Sequence, residues 1–82
     1  MPRYFFDLHN DLDAPDPEGK ELPDLDAAKA HAIRLTRGMV AASATEHGKI
    51  DLGHCIEIRD GEVVAVIKFE DAVSFVREGQ PV

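Results

Sequence analysis

The sequence has no tryptophan, a single cysteine and no long hydrophobic run. One cysteine, Cys55, excludes an internal disulfide and the cysteine pairs of a zinc finger, and it is typical of a reducing compartment. No apolar segment approaches the roughly 20 residues that a membrane helix needs, and no basic-then-apolar leader is recognisable. We therefore expect a cytoplasmic protein with no membrane contact and no cleaved leader.

Basic residues are also few, with 9 Lys and Arg against 16 Asp and Glu and a net charge of −7 at pH 7. Residues 1–26 contain eight acidic and two basic residues, a balance of −6, so nearly all of the excess lies in the first third. Because nucleic-acid binding needs clustered lysine and arginine, we expect no nucleic-acid partner. The acidic segment is then either a solvated loop or a surface that attracts a basic protein.

Periodicity predicts a β-β-α-β-β order of elements. Residues 3–9 alternate between apolar and polar, as in a strand, and residues 20–22 indicate a short second strand after a proline-rich turn. Apolar residues at steps of three and four predict a helix from about residue 25 to about residue 47, which Asp24 caps and Gly48 ends. The apolar stripe of that helix consists of Leu25, Ala28, Ala32, Leu35, Met39 and Ala42.

Asp60-Gly61 lies between two runs rich in β-branched residues, which predicts a β-hairpin. With a two-residue turn, Arg59 pairs with Glu62 and Ile58 pairs with Val63. The face toward the helix then consists of Ile56, Ile58, Val63, Ala65, Ile67 and Phe69.

We predict an α+β fold, in which a three- to four-stranded, mainly antiparallel sheet carries one long helix packed on one face. Residues 1–82 form one domain, and residues 69–76 fit either a short C-terminal helix or a further strand. A core this small leaves little room for an enclosed substrate pocket. We therefore expect no enzymatic activity.

The sheet face away from the helix has more apolar residues than a soluble monomer usually exposes. Phe5, Cys55, Val64 and Val66 fall on this face of the predicted strands. The C-terminal segment or a second copy of the chain could cover them, and a twofold dimer is the commonest form of self-association. We predict that these four residues form a partner-binding surface.

The acidic residues Asp11, Asp13, Asp16 and Glu18 flank that surface on the predicted loop. Their spacing suggests a calcium loop, but an EF-hand needs glycine at the sixth position, where Asp16 stands, and Pro15 occupies the fifth. A basic protein partner, a weak cation site and a solvated turn remain the alternatives for this acidic loop.

The four histidines do not converge on a metal site. His31 and His47 lie sixteen residues apart on one helix and point about 160° apart, whereas His9 and His54 fall on opposite faces of the sheet. Cys55 follows His54, but neighbouring strand residues point to opposite faces and cannot form a nucleophile–base pair. We therefore expect no metal, no cofactor and no catalytic residue.

Short sequence motifs with a recognisable pattern are spread over almost the whole chain. They lie at Met1–Phe6, Glu18–Leu25, Ala27–Ala28, Ala30, Ile56–Ile58, Asp60-Gly61 and Phe69–Val73. In these motifs the chain resembles a family of small alphaproteobacterial proteins known as a domain of unknown function. The aromatic opening and the Glu-Gly-x-Glu-Leu-Pro-Asp stretch are the most specific parts. The resemblance implies a stand-alone domain of about this size with no assigned activity, cofactor or catalytic residue.

These observations predict a non-catalytic protein-interaction module that uses the sheet face to form a homodimer or to bind another protein. The alternative is a regulator that resembles small antitoxins, which combine an N-terminal strand, a Pro-Asp-Leu turn and an alanine-rich helix. Such a regulator would bind a basic partner protein, because no DNA-binding segment is recognisable. A small enzyme or a weak cation-binding protein is the third alternative.

Overall fold

The computed structural model describes residues 1–9 and 13–74. Its elements, in chain order, are β1 (Arg3–His9), β2 (Lys20–Glu21), α1 (Leu25–His47), β3 (Cys55–Asp60), β4 (Glu62–Lys68) and α2 (Phe69–Ala72). The strands form one sheet in the order β2-β1-β3-β4, in which every neighbouring pair is antiparallel. Helix α1 packs across one face of this sheet. The predicted α+β fold is confirmed, and of the two alternatives for the C-terminal segment, Phe69–Ala72 forms the short helix.

Both ends of α1 follow the predicted capping pattern. The Asp24 carboxylate accepts a hydrogen bond of 2.8 Å from the Ala27 N–H, which satisfies one of the free donors of the first turn. Gly48 ends the helix in the left-handed region at φ 63°, and its N–H donates to the Ala44 carbonyl. The helix bounds therefore follow from local sequence signals.

The core lies between α1 and the facing side of the sheet. Ala28, Ala32 and Thr36 are fully buried at steps of four residues, and their small side chains let the helix lie close to the strands. The sheet side of the core, with α2, consists of Tyr4, Phe6, Ile56, Ile58 and Phe69.

The predicted stripe is wrong at Ala42, which is exposed, and it omits the buried Thr36. A helix of 23 residues extends about 35 Å, whereas strands of seven residues extend about 23 Å. The C-terminal end of α1 therefore extends beyond the sheet, and Ala42 has no strand to pack against.

The hairpin register differs from the predicted one. Ile58 pairs with Ala65 instead of Val63, and Arg59 pairs with Val63, because the register shifts between Ile58 and Arg59. Arg59 also has its ionic partner on the other side of β3, where its Nε donates to Asp7 at 3.0 Å. The predicted Arg59–Glu62 pair is therefore wrong, and Val63 is 48% exposed instead of lying in the core.

The described part of the C-terminal segment packs on the same side as α1. Phe69 and Ala72 of α2 are buried, and the Arg37 Nε on α1 donates to the Ala72 carbonyl at 2.9 Å. Residues 75 and 76, which the sequence suggested as a cover for the other sheet face, lie outside the described residues. No helix in the described part of the chain is long and apolar enough to cross a membrane.

Candidate interaction surface

The outer face, defined as the sheet face away from α1, is built by cross-strand pairs of β1, β3 and β4. Phe5 lies opposite Arg59, Asp7 opposite Glu57, and His9 opposite Cys55. On the other side of β3, Glu57 lies opposite Val66 and Cys55 opposite Lys68. Because opposite residues in an antiparallel pair share a face, charged side chains of β3 separate Phe5 from the valines of β4.

An ion pair occupies the centre of the outer face between β1 and β3. The Arg59 Nε donates to the Asp7 Oδ2 at 3.0 Å, and the Arg59 guanidinium lies 4.6 Å from the centre of the Phe5 ring. Burial acts to raise the pKa of Asp7, but the bonds from Arg59 and from the Asp16 N–H outweigh it and hold the pKa below 3.8. Arg59 thus pairs with a carboxylate and covers an aromatic ring.

Asp16 organises the loop that crosses this end of the outer face. Its carboxylate accepts three backbone N–H bonds, from Phe6 at 3.2 Å and from Glu18 and Gly19 at 3.1 Å each. Burial opposes ionisation of Asp16, but these donors lower its pKa below 3.8. One of the four predicted acidic-loop residues therefore has a structural role within the fold.

Gly19 brings the same loop into contact with Phe5. A Cβ at Gly19 would lie 2.9 Å from Phe5 Cε2 and 2.9 Å from the Tyr4 carbonyl oxygen, and the residue has φ +71°. Only glycine fits this close approach without displacing the backbone. Phe5 is therefore half-buried, with Arg59 against one part of its ring and the loop against another.

The remaining predicted acidic residues differ in their surroundings. The Asp13 Oδ1 lies 2.8 Å from the His9 Nδ1, and the His9 Nε2 contacts Glu57. The hydrogen bond to Asp13, followed by the charge of Glu57, raises the pKa of His9 above 6.5. Glu18 has an exposed side chain, and its carbonyl accepts from Arg3 at 2.9 Å. Asp11 lies outside the described residues.

The valine patch, defined as Val63, Val64 and Val66, lies on the opposite part of the sheet, along β4. Their exposures are 48%, 38% and 47%. The predicted surface of four residues is thus divided: Val64 and Val66 are exposed, whereas Phe5 and Cys55 are half-buried. Sequence reasoning missed Val63, because the register shift that exposes it follows from no local signal.

A second feature lies near His54, on the opposite side of the sheet. The His54 Nε2 is 3.3 Å from the Asp51 Oδ2, and its ring packs edge-on against Phe69 at 5.5 Å. A mostly apolar cavity of about 210 Å³ adjoins these residues and Met39. Cys55 follows His54 in the chain and lies on the other face of the sheet, as predicted. The described residues bring together no group of three His, Cys, Asp or Glu side chains suited to a metal ion.

Comparison with curated proteins and with solved structures gives no match. The sequence model of a domain of unknown function, DUF6894, matches residues 3–70, which include strands β1 to β4 and helix α1. The predicted resemblance to a family of unknown function is confirmed, and the chain belongs to the DUF6894 family.

Proposed function

We propose that this domain is a non-catalytic protein-interaction module that binds a partner through the valine patch. The observation that carries the proposal is the exposure of three valines along one seven-residue strand, with each of these residues 38% to 48% exposed to solvent. Burial of apolar surface is the main driving force of protein association. A row of β-branched side chains on a rigid strand supplies such surface at little cost in conformational entropy.

The two edges of the sheet support this assignment by their contrast. The edge strand β2 has only two residues, Lys20 and Glu21, which are both charged and exposed. Short length and charge are the usual protection of an edge strand against pairing with another chain. The other edge, β4, has seven residues, of which the central five are apolar. An edge of this kind favours pairing with a protein.

The basic-partner alternative depends on the acidic loop. Asp7 is paired with Arg59, Asp13 contacts His9, and Asp16 binds backbone N–H groups. These three carboxylates are therefore already engaged by hydrogen bonds within the chain, which favours the valine patch over the acidic loop as the contact surface. We also propose a cytoplasmic location, because a single free thiol at Cys55 suits a reducing compartment.

Val66→Lys tests the proposal, because it places a charge in the middle of the valine patch. Ile50→Lys is the matched control, since Ile50 is 43% exposed and lies outside the strands. We expect wild type and the control to associate equally, with a second copy in light scattering or with a partner that the tagged chain captures in its native host. Val66→Lys should weaken that association by about tenfold or more.

Two results would contradict the proposal. One is an association that Val66→Lys leaves unchanged. The other is a wild-type chain that remains monomeric at all concentrations and captures no protein in a Val66-dependent manner. Both substitutions are at exposed positions, so we expect the fold to remain intact. Circular dichroism of each variant verifies this.

A further inference from the structure

The cavity near His54 lies at one end of the sheet, beneath the second half of α1. At this end β1 finishes at His9, β3 begins at Cys55 and β4 finishes at Lys68, and the register aligns these residues across the sheet. The apolar walls of the cavity are Leu8 from β1, Met39 and Val40 from α1, and Phe69 from α2. Three elements of the fold therefore surround one apolar space.

The volume of the cavity, about 210 Å³, suits a small organic molecule. An apolar cavity of about 150 Å³ in another protein holds one benzene molecule. On this scale, the cavity beneath α1 takes an apolar body of about eight carbon atoms. Sites for drug-sized ligands are larger, at about 300 to 1,000 Å³, so the volume restricts the ligand to small molecules.

The polar side chains of the described cavity lining are Ser43, Asp51 and His54. The Ser43 Oγ donates its one proton to the Lys49 carbonyl at 2.8 Å, so only its lone pairs remain for a ligand. The His54 Nε2 lies 3.3 Å from the Asp51 Oδ2. Because a carboxylate accepts and does not donate, this nitrogen bears the proton of the neutral ring, and Nδ1 is then an acceptor.

Asp51 is positioned by the backbone of its own turn. The Asp51 Oδ1 accepts the Gly53 N–H at 2.9 Å. This bond, followed by the charge of His54, lowers the pKa of Asp51 below 3.8, so the carboxylate is ionised at neutral pH. A carboxylate has about four lone-pair sites, and Gly53 and His54 use two of them. The Asp51 side chain is 49% exposed, so it lies at the mouth of the cavity.

All three polar side chains of this lining therefore offer acceptors to a ligand. A primary ammonium group is the complementary head group, because it has three N–H donors and no acceptor. We infer that the cavity binds a small protonated primary amine, with its ammonium group beside Asp51 and an apolar body of about eight carbon atoms against Met39 and Phe69. At the mouth, the ammonium group keeps part of its hydration while the apolar body is buried.

Other classes of small ligand fit the lining less well. A carboxylate or phosphate would lie beside the ionised Asp51 without a donor from the three polar side chains. Lys49 also acts on Asp51 through its charge, but it is exposed and is not part of the described lining. A neutral alcohol supplies one donor where an ammonium group supplies three, and its hydrogen bond to the carboxylate lacks the opposite charge.

Titration of the isotope-labelled chain with phenethylammonium tests the inference, because the apolar body of this amine matches the volume of the cavity. Phenethyl alcohol and hydrocinnamate have the same body with a neutral and an anionic head group. At about pH 7.5, where an ordinary histidine ring is mostly neutral, we expect the amine to shift the amide signals of Leu8, Val40 and His54. The dissociation constant should be about 1 mM or lower. The alcohol should bind about tenfold more weakly, and the carboxylate should leave these signals unchanged.

Asp51→Asn removes the charge and keeps an oxygen acceptor for the Gly53 N–H. It should weaken binding of the amine by about tenfold and change binding of the alcohol little. Asp60→Asn is the matched control, because it changes the net charge equally at an exposed position at the other end of β3. Val40→Phe fills the cavity and should abolish binding of both molecules. Thermal unfolding verifies the fold of each variant, and the comparison of Asp51→Asn with Asp60→Asn does not depend on Val40→Phe.

Three results would overturn the inference. The first is a wild-type chain that does not bind the amine, and the second is equal affinity for the amine and the alcohol. The third is equal weakening by Asp51→Asn and Asp60→Asn, which would attribute binding to the net charge of −7. The cavity is independent of the proposed function, because it lies on the helix side of the sheet, whereas Val66 lies on the outer face. Val66→Lys should therefore leave binding of the amine unchanged, and either proposal can fail without the other.

Discussion

On the outer face of the sheet, β1 and β3 keep Phe5 beneath the Arg59 guanidinium and against the Gly19 loop, whereas β4 leaves three valines 38% to 48% exposed. The β1–β3 part is occupied by ion pairs and loop hydrogen bonds from the chain itself. The β4 part has no comparable cover among the described residues. One sheet face thus combines a part that is covered by contacts within the chain with a part whose valines are exposed, and the proposed function assigns a partner to the second part.

The two parts of the outer face should respond differently to substitution. Residues of the β1–β3 part contribute to the stability of the isolated chain, because their partners belong to the same chain. Under the proposed function, residues of the β4 part contribute to association and only slightly to the stability of the monomer, since substitutions at exposed positions usually change stability by about 0.5 kcal/mol or less. Substitutions in the β1–β3 part should therefore lower stability, whereas those in the β4 part should leave the stability of the monomer almost unchanged.

The largest effect on stability is expected for Asp16→Ala. The substitution removes one acceptor of three backbone N–H bonds and should lower the free energy of unfolding by about 2 kcal/mol. Asp13→Ala is the matched control in the same loop, because the Asp13 side chain is 72% exposed and, within residues 1–9 and 13–74, forms a hydrogen bond with His9 alone. Urea denaturation measures both. A loss as large for Asp13→Ala as for Asp16→Ala would contradict a special role for Asp16.

The same carboxylates predict the dependence of stability on acid. The pKa of Asp7 and that of Asp16 are both lowered from 3.8 in the folded chain. Their contribution is therefore fully present above about pH 4, where the carboxyl groups of the unfolded chain are ionised, and it is lost as the pH falls through the lowered folded values. The free energy of unfolding of Asp16→Ala should therefore decrease less than that of the wild type as the pH is lowered from 4 toward the pH of acid unfolding.

An intermediate effect on stability is expected for Thr36→Val, in the core between α1 and the sheet. Thr36 is fully buried in α1, and its Oγ1 has no hydrogen-bond partner among the described residues. Valine has nearly the same shape and helix propensity, so the substitution should raise the free energy of unfolding by about 1 kcal/mol. Thr45→Val, at an exposed position of the same helix, is the control and should change stability by less than about 0.5 kcal/mol. Destabilisation by Thr36→Val would indicate that the hydroxyl is satisfied.

Local signals were sufficient to predict the elements of this fold. Alternation defined β1, the Asp24 cap and Gly48 defined α1, and Asp60-Gly61 located the hairpin. Each of these signals depends on residues close together in the chain. They also placed Val64 and Val66 on the outer face, where both are exposed.

The parts that the sequence did not predict depend on contacts between distant residues. The hairpin register follows a shift beside Arg59, whose ionic partner Asp7 is 52 positions away in the chain. The burial of Thr36 depends on how α1 lies on the sheet. The sequence predicted a turn at Asp16 but assigned its carboxylate to a solvated acidic loop, although an aspartate before Pro17, Glu18 and Gly19 is typical of one that binds the backbone of its own turn.

The smallest expected effect concerns the pKa values of two histidines, which differ because the surroundings of the two rings differ. His9, on the outer face, has a pKa raised above 6.5, chiefly by its hydrogen bond to Asp13. His31, on α1, packs edge-on against Phe6 at 4.8 Å, and burial lowers its pKa below 6.5. In an NMR titration, we therefore expect His9 to titrate above 6.5 and His31 below it. Asp13→Asn should lower the pKa of His9 and leave that of His31 unchanged.

The two histidines also have opposite effects on stability as the pH changes. The contribution of His9 is complete below pH 6.5 and is lost as the pH rises through its raised folded pKa. His31 is harder to protonate in the folded chain than in the unfolded chain, so stability decreases as the pH falls below 6.5. His9→Gln should remove the loss on the alkaline side, and His31→Gln should remove the loss on the acid side. Titration of both histidines on the same side of 6.5 would contradict the distinction between a charge-paired outer face and an apolar inner one.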